Sequence, residues 1–460
     1  MIKLYNSLTR RKEEFKPINE GIVKMYTCGP TVYYYPHIGN MRAYVFMDTL
    51  RRVLKYNGYK INGVMNITDV GHLTDDSDNG EDKMEKMAKS TNTSPYEIAA
   101  KYTKIFFDDL NSLNIDVPEH ITKATEYIDQ MINFVKKLED KGYTYIIDDG
   151  VYFDVSKFPG YGQLSQKDME SIGVARVEEN DQKRHPFDFA LWKFVEPSHI
   201  MKWDSPWGVG CPGWHIECSA MSGDILGEHF DIHTGGIDHK SIHHENEIAQ
   251  NDCAWGHRVV ECWMHNEFLQ VDGGKMSKSL GNIYTINQLS DMGYEPLAYK
   301  YFCLNTSYSK KINFTFDAIK AAQSALNSIR KILQEHKNGS AKVSAEVIAG
   351  YKEEFLNAIN DDLNTPLALG VLFKMIKSEA KSIDIYNLAL DFDKVFAIGL
   401  DRVVVEEVVD IPEEIQELAE LRWQSKQAKD WTKADEYRKI ITDKGYAILD
   451  SKDGYKIEKL

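Results

Sequence analysis

Residues 22–56 run IVKMYTCGPTVYYYPHIGNMRAYVFMDTLRRVLKY, and this stretch decides the fold. Its first six residues, IVKMYT, form the short apolar run of a buried strand, whereas residues 41–56 place Val45, Phe46, Leu50, Val53 and Leu54 at helical spacing. The order is strand, loop, helix. A second β-like run, INGVMNIT at residues 61–68, follows at the distance a right-handed crossover spans, as a βαβ unit of a parallel sheet requires.

From residue 95 to residue 141 the pattern is helical, and YTYIIDDGVYFDV then alternates about Asp149-Gly150 as a two-residue hairpin. Parallel-sheet character returns at residues 230–234 and 262–271, and beyond about Tyr284 nearly everything has helical periodicity. The expectation is an α/β chain whose nucleotide-binding type of domain is split around an insertion. Expected boundaries are 1–95 and 213–284 for its two halves and 96–212 for the insertion, then 285–317, a helical bundle at 318–400 and a terminal module at 401–460.

The chain has 460 residues, 55 Lys plus Arg against 70 Asp plus Glu, and is 43% hydrophobic, a folded multidomain composition. No apolar run approaches the roughly 20 residues of a bilayer-spanning helix, and MIKLYNSLTRRKEEF lacks the apolar stretch of a secretory peptide. A cytoplasmic protein is expected. Six cysteines in so long a chain do not make a disulfide framework, so each is a core thiol or a ligand. The net charge of −15 disfavours nucleic acid unless basic charge is concentrated somewhere, and it is: residues 401–420 hold eight acids and one base, residues 421–460 ten bases and seven acids. Such a tail serves a solvated helical face or a phosphate-contacting surface.

Four segments carry chemistry. Pro36-His37-Ile38-Gly39-Asn40 lies between the first strand and first helix, where backbone N–H groups and the positive helix end suit a polyphosphate. There Gly39 permits close approach and His37 can donate to phosphate oxygens. Lys275-Met276-Ser277-Lys278-Ser279 follows Asp272-Gly273-Gly274 and sets two ammonium groups where they can clamp a leaving pyrophosphate. Gly235-Gly236-Ile237-Asp238 ends a strand, with glycines that admit a nucleoside and a carboxylate that can accept from ribose hydroxyls.

The fourth is His243-His244-Glu245-Asn246-Glu247, which opens a helix. His243 and Glu247, four apart, share a face and can chelate one cation, leaving His244 and Glu245 to point elsewhere; a capped, charged helix start fits the bare pattern equally well. Zinc would want softer partners too, and Cys28 and Cys218 are the candidates. Cys253, Cys262 and Cys303 have the context of core thiols. Trp214 and His233 flank the ligand candidates in sequence and could wall a small pocket.

HIGN after the first strand, GGID in the second half and KMSKS beyond it resemble, in order and separation, the signatures of class I aminoacyl-tRNA synthetases. Cys28-Gly29-Pro30-Thr31-Val32-Tyr33, NITDV, PGWHIECSAM, HHENEIAQ, KMSKSLGN and DDLNTPLAL narrow the resemblance to the cysteinyl-tRNA synthetase family, over essentially the whole chain. It implies a split Rossmann-like catalytic domain with a connective insertion, a helical bundle and a small anticodon-binding region. The implied activity is ATP-dependent ligation of L-cysteine to tRNA(Cys) through a cysteinyl-adenylate, by a monomer. One zinc is implied on Cys28, Cys218, His243 and Glu247, with Thr68, Trp214 and His233 beside the substrate. His37, Asn40, Lys275, Lys278 and Mg²⁺ would act on ATP, Gly39, Gly236 and Asp238 would hold its nucleoside, and the basic tail would meet tRNA.

The chain departs from the family pattern at Asn40, where the full motif has a second histidine, at Cys211, where arginine is usual, and at Ile242, where many relatives have proline. Tyr455 stands near a position where relatives often keep tryptophan. A ligase joining cysteine to an amino sugar would lack the tail at 318–460, a catalytically dead tRNA-binding paralogue would not need all three signatures, and a zinc hydrolase would have no use for KMSKS.

Overall fold

The computed structural model describes residues 1–71, 82–166, 182–274, 276, 281–404, 411–450 and 454–459. A hairpin of β1 (Lys3–Asn6) and β2 (Arg11–Glu14) precedes β3 (Ile22–Thr27), α1 (Ile38–Tyr56) and β4 (Lys60–Ile67). Helix α1 starts three residues before its apolar periodicity does. The cause is local: the His37 ring accepts from the Asn40 backbone N–H at 3.2 Å while the Asn40 side chain accepts from the His37 N–H at 3.1 Å, a reciprocal cap.

Helices α2 (Lys83–Thr91) and α3 (Pro95–Ser112) lead to β5 (His120–Lys123), after which come α4 (Ile128–Asp140), β6 (Thr144–Ile147), β7 (Gly150–Phe153), β8 (Phe189–Phe194) and β9 (Gly210–Pro212). The helical expectation for residues 95–141 therefore misses one strand, and that strand closes an edge of the main sheet. Four strands, β6 to β9, form a separate antiparallel sheet. Its hairpin turns at Asp148-Asp149, one position earlier than the sequence suggests, because Gly150 already pairs with Ile147.

The chain then returns through α5 (Trp214–Leu226), β10 (Phe230–Gly236), α6 (His243–Trp255) and β11 (Val260–Asn266). The main sheet runs β11-β10-β3-β4-β5 and every pairing in it is parallel. Such a sheet is covered on both faces, which is why β10, FDIHTGG, is buried at every position. One core packs α1 against it, while the other packs α4, α5 and α6. Adjacent β3 and β10 come from opposite sides of the insertion and are tied by a buried Thr27–Thr234 hydroxyl contact of 2.8 Å. Loops leaving their carboxyl ends in different directions open the crevice where ligands of such sheets bind.

The run expected over 262–271 breaks at Glu267-Phe268, and β12 (Leu269–Val271) leaves the main sheet. After α7 (Ile286–Asp291) and α8 (Pro296–Leu304), β13 (Ile312–Phe314) pairs in parallel with β12. On α8 the buried Lys300 ammonium reaches Asp48 of α1 at 2.7 Å, and Arg52 meets the same carboxylate at 2.8 Å. Next come α9 (Phe316–Lys337), α10 (Ala345–Asn360), α11 (Thr365–Ser378) and α12 (Ile383–Phe396), a helical region packed into the first core.

Residues 1–402 make one compact unit and residues 403–460 another. The second contains α13 (Glu413–Gln427), α14 (Trp431–Asp443), β14 (Tyr446–Asp450) and β15 (Tyr455–Lys459). It ends in an antiparallel hairpin, in a region where nearly everything is expected to be helical, and its core is Ile415, Ala419, Ile441 and Ile448. Among the described residues, no helix is long and apolar enough to cross a membrane.

Candidate active site

At the carboxyl ends of β3 and β10 lies a cavity of about 820 Å³. Cys28, the residue after β3, Cys218 on α5 and His243 on α6 stand on its wall. Glu247, one helical turn from His243, sits behind them. The donor atoms of these four buried residues lie within 4.8 Å of one another. Cys218 Sγ is 3.4 Å from His243 Nε2, which is 3.1 Å from Glu247 Oε1. Zinc–ligand bonds of about 2.0–2.3 Å set tetrahedral donors roughly 3.3–3.8 Å apart, so two thiols, an imidazole and a carboxylate at this spacing fit a zinc ion with little movement.

Glu247 and Cys218 are biased toward their anionic forms, whereas Cys28 and His243 hold protons that a bound cation would have to displace. Burial opposes charge on Glu247, yet the His233 and His243 imidazoles pull its carboxyl down to about 2. Burial likewise works against a charged His243, but Cys218 and Glu247 lift it to about 10. The two thiols diverge: burial and its neighbours push Cys28 well up, whereas contacts with Cys28 and His243 outweigh burial and bring Cys218 down. Outer partners fix the ligands. His233 Nε2 lies 2.8 Å from the second Glu247 oxygen, and His243 Nδ1 lies 2.9 Å from His215 Nδ1, leaving Nε2 toward the cluster.

His244 does not point elsewhere. Its Nε2 is 3.2 Å from Cys28 Sγ, because positions 244 and 247, three apart, share a helix face as surely as 243 and 247 do. Cys28, His233, His244 and Glu247 form a second grouping within 4.8 Å, which shares two members with the first. Three of those four stand off the cavity wall, whereas three of the first four line it. Glu245 does turn away, and its carboxylate accepts from the backbone N–H groups of Gly162, Leu164 and Ser165 at 2.8–3.1 Å. Cys211 belongs to β9 and joins no metal-competent group among the described residues; Cys253, Cys262 and Cys303 are buried in the cores.

Of the expected substrate neighbours, Thr68 and Trp214 line the cavity and His233 does not. Thr68 donates to buried Glu217 at 2.7 Å and accepts from Asn66 at 3.0 Å. The Trp214 ring packs 4.6 Å from that of His243. His233 is fully buried, stacked on Trp263, and reaches the cluster through Glu247.

At the other end, His37, Gly39, Asn40, Gly236 and Asp238 line the same cavity. Burial lowers the His37 pKa, and its Nδ1 accepts from Asn40, so the neutral ring carries its proton on Nε2. A Cβ at position 39 would meet the Met276 methyl at 2.2 Å and the His37 ring at 3.0 Å, so a side chain there would have to displace the Met276 tip. Asp272 and Gly273 take positive φ in a tight turn that closes Val271 onto Gly274. Lys275 and Lys278, beyond that turn, lie outside the described residues. His239, His215 and Glu217 escape the sequence reading, which names His244 but turns it away from the cluster; the crowding of histidine between residues 229 and 265 hints at His239.

Residues 14–324 match the family model described as the class I (C) tRNA synthetase catalytic domain, and residues 354–384 match a DALR domain. Cysteine–tRNA ligase 1 of Burkholderia lata is 43% identical over 459 residues, covering 99% of this chain and 96% of that protein. The cysteine–tRNA ligase of Borrelia hermsii is 40% identical with both chains fully covered. Among solved structures, Mycobacterium tuberculosis methionyl-tRNA synthetase in complex with methionyl-adenylate superposes with a TM-score of 0.56 at 13% identity over 82% of this chain and 90% of that one. The leucyl enzyme of Agrobacterium radiobacter, in a ternary complex with tRNA, gives 0.59 at 12% identity, covering 84% of each chain. These two likenesses are of fold.

Proposed function

This chain belongs to the cysteine–tRNA ligase family of class I aminoacyl-tRNA synthetases, and from that membership we propose how its own residues divide the work of attaching cysteine to tRNA(Cys) at the expense of ATP. The observation that carries the assignment is the four-donor cluster opening onto the cavity beside Thr68 and Trp214.

Cys28, Cys218, His243 and Glu247 would hold zinc. Zinc held there would supply affinity for a thiolate over an alcohol, since a thiol ionises near pKa 8.5 and its sulfur suits the metal. The protein's part would be to aim the ligands, through His233 on Glu247 and His215 on His243. Packing alone separates serine from cysteine by only about 1–3 kcal/mol, so the donors' chemistry must provide the rest.

Activation needs no protein nucleophile. The cysteine carboxylate attacks the α-phosphorus of ATP, the bond to the bridging oxygen breaks, and pyrophosphate leaves; the tRNA terminal hydroxyl then takes the cysteinyl group. His37 donates from Nε2 to the phosphates, with Asn40 fixing that tautomer through the helix cap. Lys275 and Lys278, with Mg²⁺ on ATP, would neutralise the leaving pyrophosphate. Gly39 and Gly236 admit the nucleotide closely, and Asp238 would accept from the ribose. The basic tail would contact tRNA, and a cytoplasmic monomer suits these roles.

Cys218→Ser and His243→Ala test this. Each should lower bound zinc and weaken cysteine at least tenfold more than ATP, as read by equilibrium binding and by cysteine-dependent exchange of pyrophosphate into ATP. Equal loss of both affinities would make the metal merely structural.

A further inference from the structure

One imidazole on the cavity wall has no part in the cluster or in the helix cap. His239 opens a short turn (His239–Ser241) between β10 and α6. It stands between the two ends of the cavity, directly after Asp238 on the nucleotide side and with its ring 5.2 Å from His243 and 6.1 Å from Trp214 on the cysteine side. Gly235 makes that placement possible, because a Cβ there would lie 2.8 Å from His239 Nδ1 and 2.6 Å from the His244 ring.

The two nitrogens of the ring are not equivalent. Nδ1 is shut in against Gly235 with no hydrogen-bond partner among the described residues. A buried N–H without a partner is rarer and costlier than a bare acceptor, so Nδ1 is the lone-pair atom and the proton resides on Nε2. The residue lines the cavity, and Nδ1 is the ring nitrogen that is shut in without a partner.

We infer that His239 donates from Nε2 to the junction formed when the cysteine carboxylate meets the α-phosphoryl group, and so stabilises the charge that gathers on the α-phosphoryl oxygens. This rests on the adenylate-forming function proposed above. In the step concerned a carboxylate oxygen–phosphorus bond forms and the bond from the α-phosphorus to the bridging oxygen breaks, the electron pair leaving with pyrophosphate. His239 keeps its proton throughout. It acts only by direction of the N–H, which a carboxamide can imitate and a hydrocarbon cannot.

The test compares wild type, His239→Leu and His239→Gln in cysteine-dependent pyrophosphate exchange, with zinc per chain and thermal midpoint measured on each. A missing donor of this kind costs on the order of 10²-fold in kcat, so the Leu variant should fall by about that factor with its KM for ATP and its zinc content unchanged, and the Gln variant should regain at least about tenfold. A Leu variant within about threefold of wild type overturns the assignment. So does a Gln variant that is folded, loaded with zinc and no faster than Leu, or a loss of zinc in both variants that matches their loss of rate. Should wild type itself show no exchange with cysteine, the adenylate-forming function fails instead, before His239 is in question.

Discussion

Asp109 shows what one buried side chain can do to stability far from the cavity. On α3 it is 1% exposed, and its Oδ1 has no hydrogen-bond partner among the described residues. Burial, helped by neighbouring Asp108, raises its carboxyl to about 7. The unfolded chain releases that proton near 3.9, so between about pH 4 and 7 the native state holds more protons and stability declines as pH rises. Asp109→Asn cannot ionise. It should match wild type near pH 4 and exceed it by roughly 1–3 kcal/mol at pH 8, a difference that urea midpoints at the two pH values would register; equal midpoints at pH 8 would refute it. Residues of this kind are invisible in sequence, because DDL in an amphipathic helix does not say which carboxylate is shut in. The cluster is legible in part: positions 243 and 247 announce themselves by spacing, whereas Cys28 and Cys218 join them only through a fold that closes distant segments together.

Helices and strands were legible in proportion to their apolar pattern. β3 is a mostly apolar run and β10, FDIHTGG, sets Phe230 and Ile232 before a Gly-Gly signal, while β5, the four residues HITK, has neither length nor alternation and owes its place to the sheet edge offered by β4. Between elements, polar locks matter more than pattern. Lys300 of α8 and Asp48 of α1 are both fully buried, and the Lys300 ammonium also donates to the Asn114 carbonyl. Burial lowers the Lys300 pKa, and although burial also opposes charge on Asp48, Lys300 and Arg52 keep that carboxyl ionised. Lys300→Met would leave Asp48 with Arg52 alone, in a site built for two cations. Breaking a buried pair from one side costs about 3–5 kcal/mol, with Arg52 holding the loss toward the lower end. Chemical denaturation should reveal it, and Asp48→Asn added to Lys300→Met should recover part of it; a single variant as stable as wild type would show the lock to be dispensable.

The two compact units divide the molecule at Arg402. The larger holds the entire cavity and cluster, and the smaller carries the basic tail over its own four-residue core. A chain ending at Arg402 should keep cysteine-dependent pyrophosphate exchange within about twofold while losing at least tenfold in kcat/KM for tRNA charging, and the tRNA KM of the full chain should climb with salt as phosphate contacts require. Undiminished charging by the shortened chain would remove the tail from tRNA recognition. Within the larger unit, the neighbours β3 and β10 belong to halves that the insertion keeps apart, so the first thiol meets its last partner across 219 positions. At a ribosomal pace of roughly 5–20 residues per second, Cys28 is polymerised about 10–45 s before Glu247. Through that interval its sulfur stands alone, open to oxidants and to stray copper. If these donors hold zinc as proposed, its loading would be a late event of biosynthesis, and oxidation of Cys28 would threaten the growing chain more than the closed one.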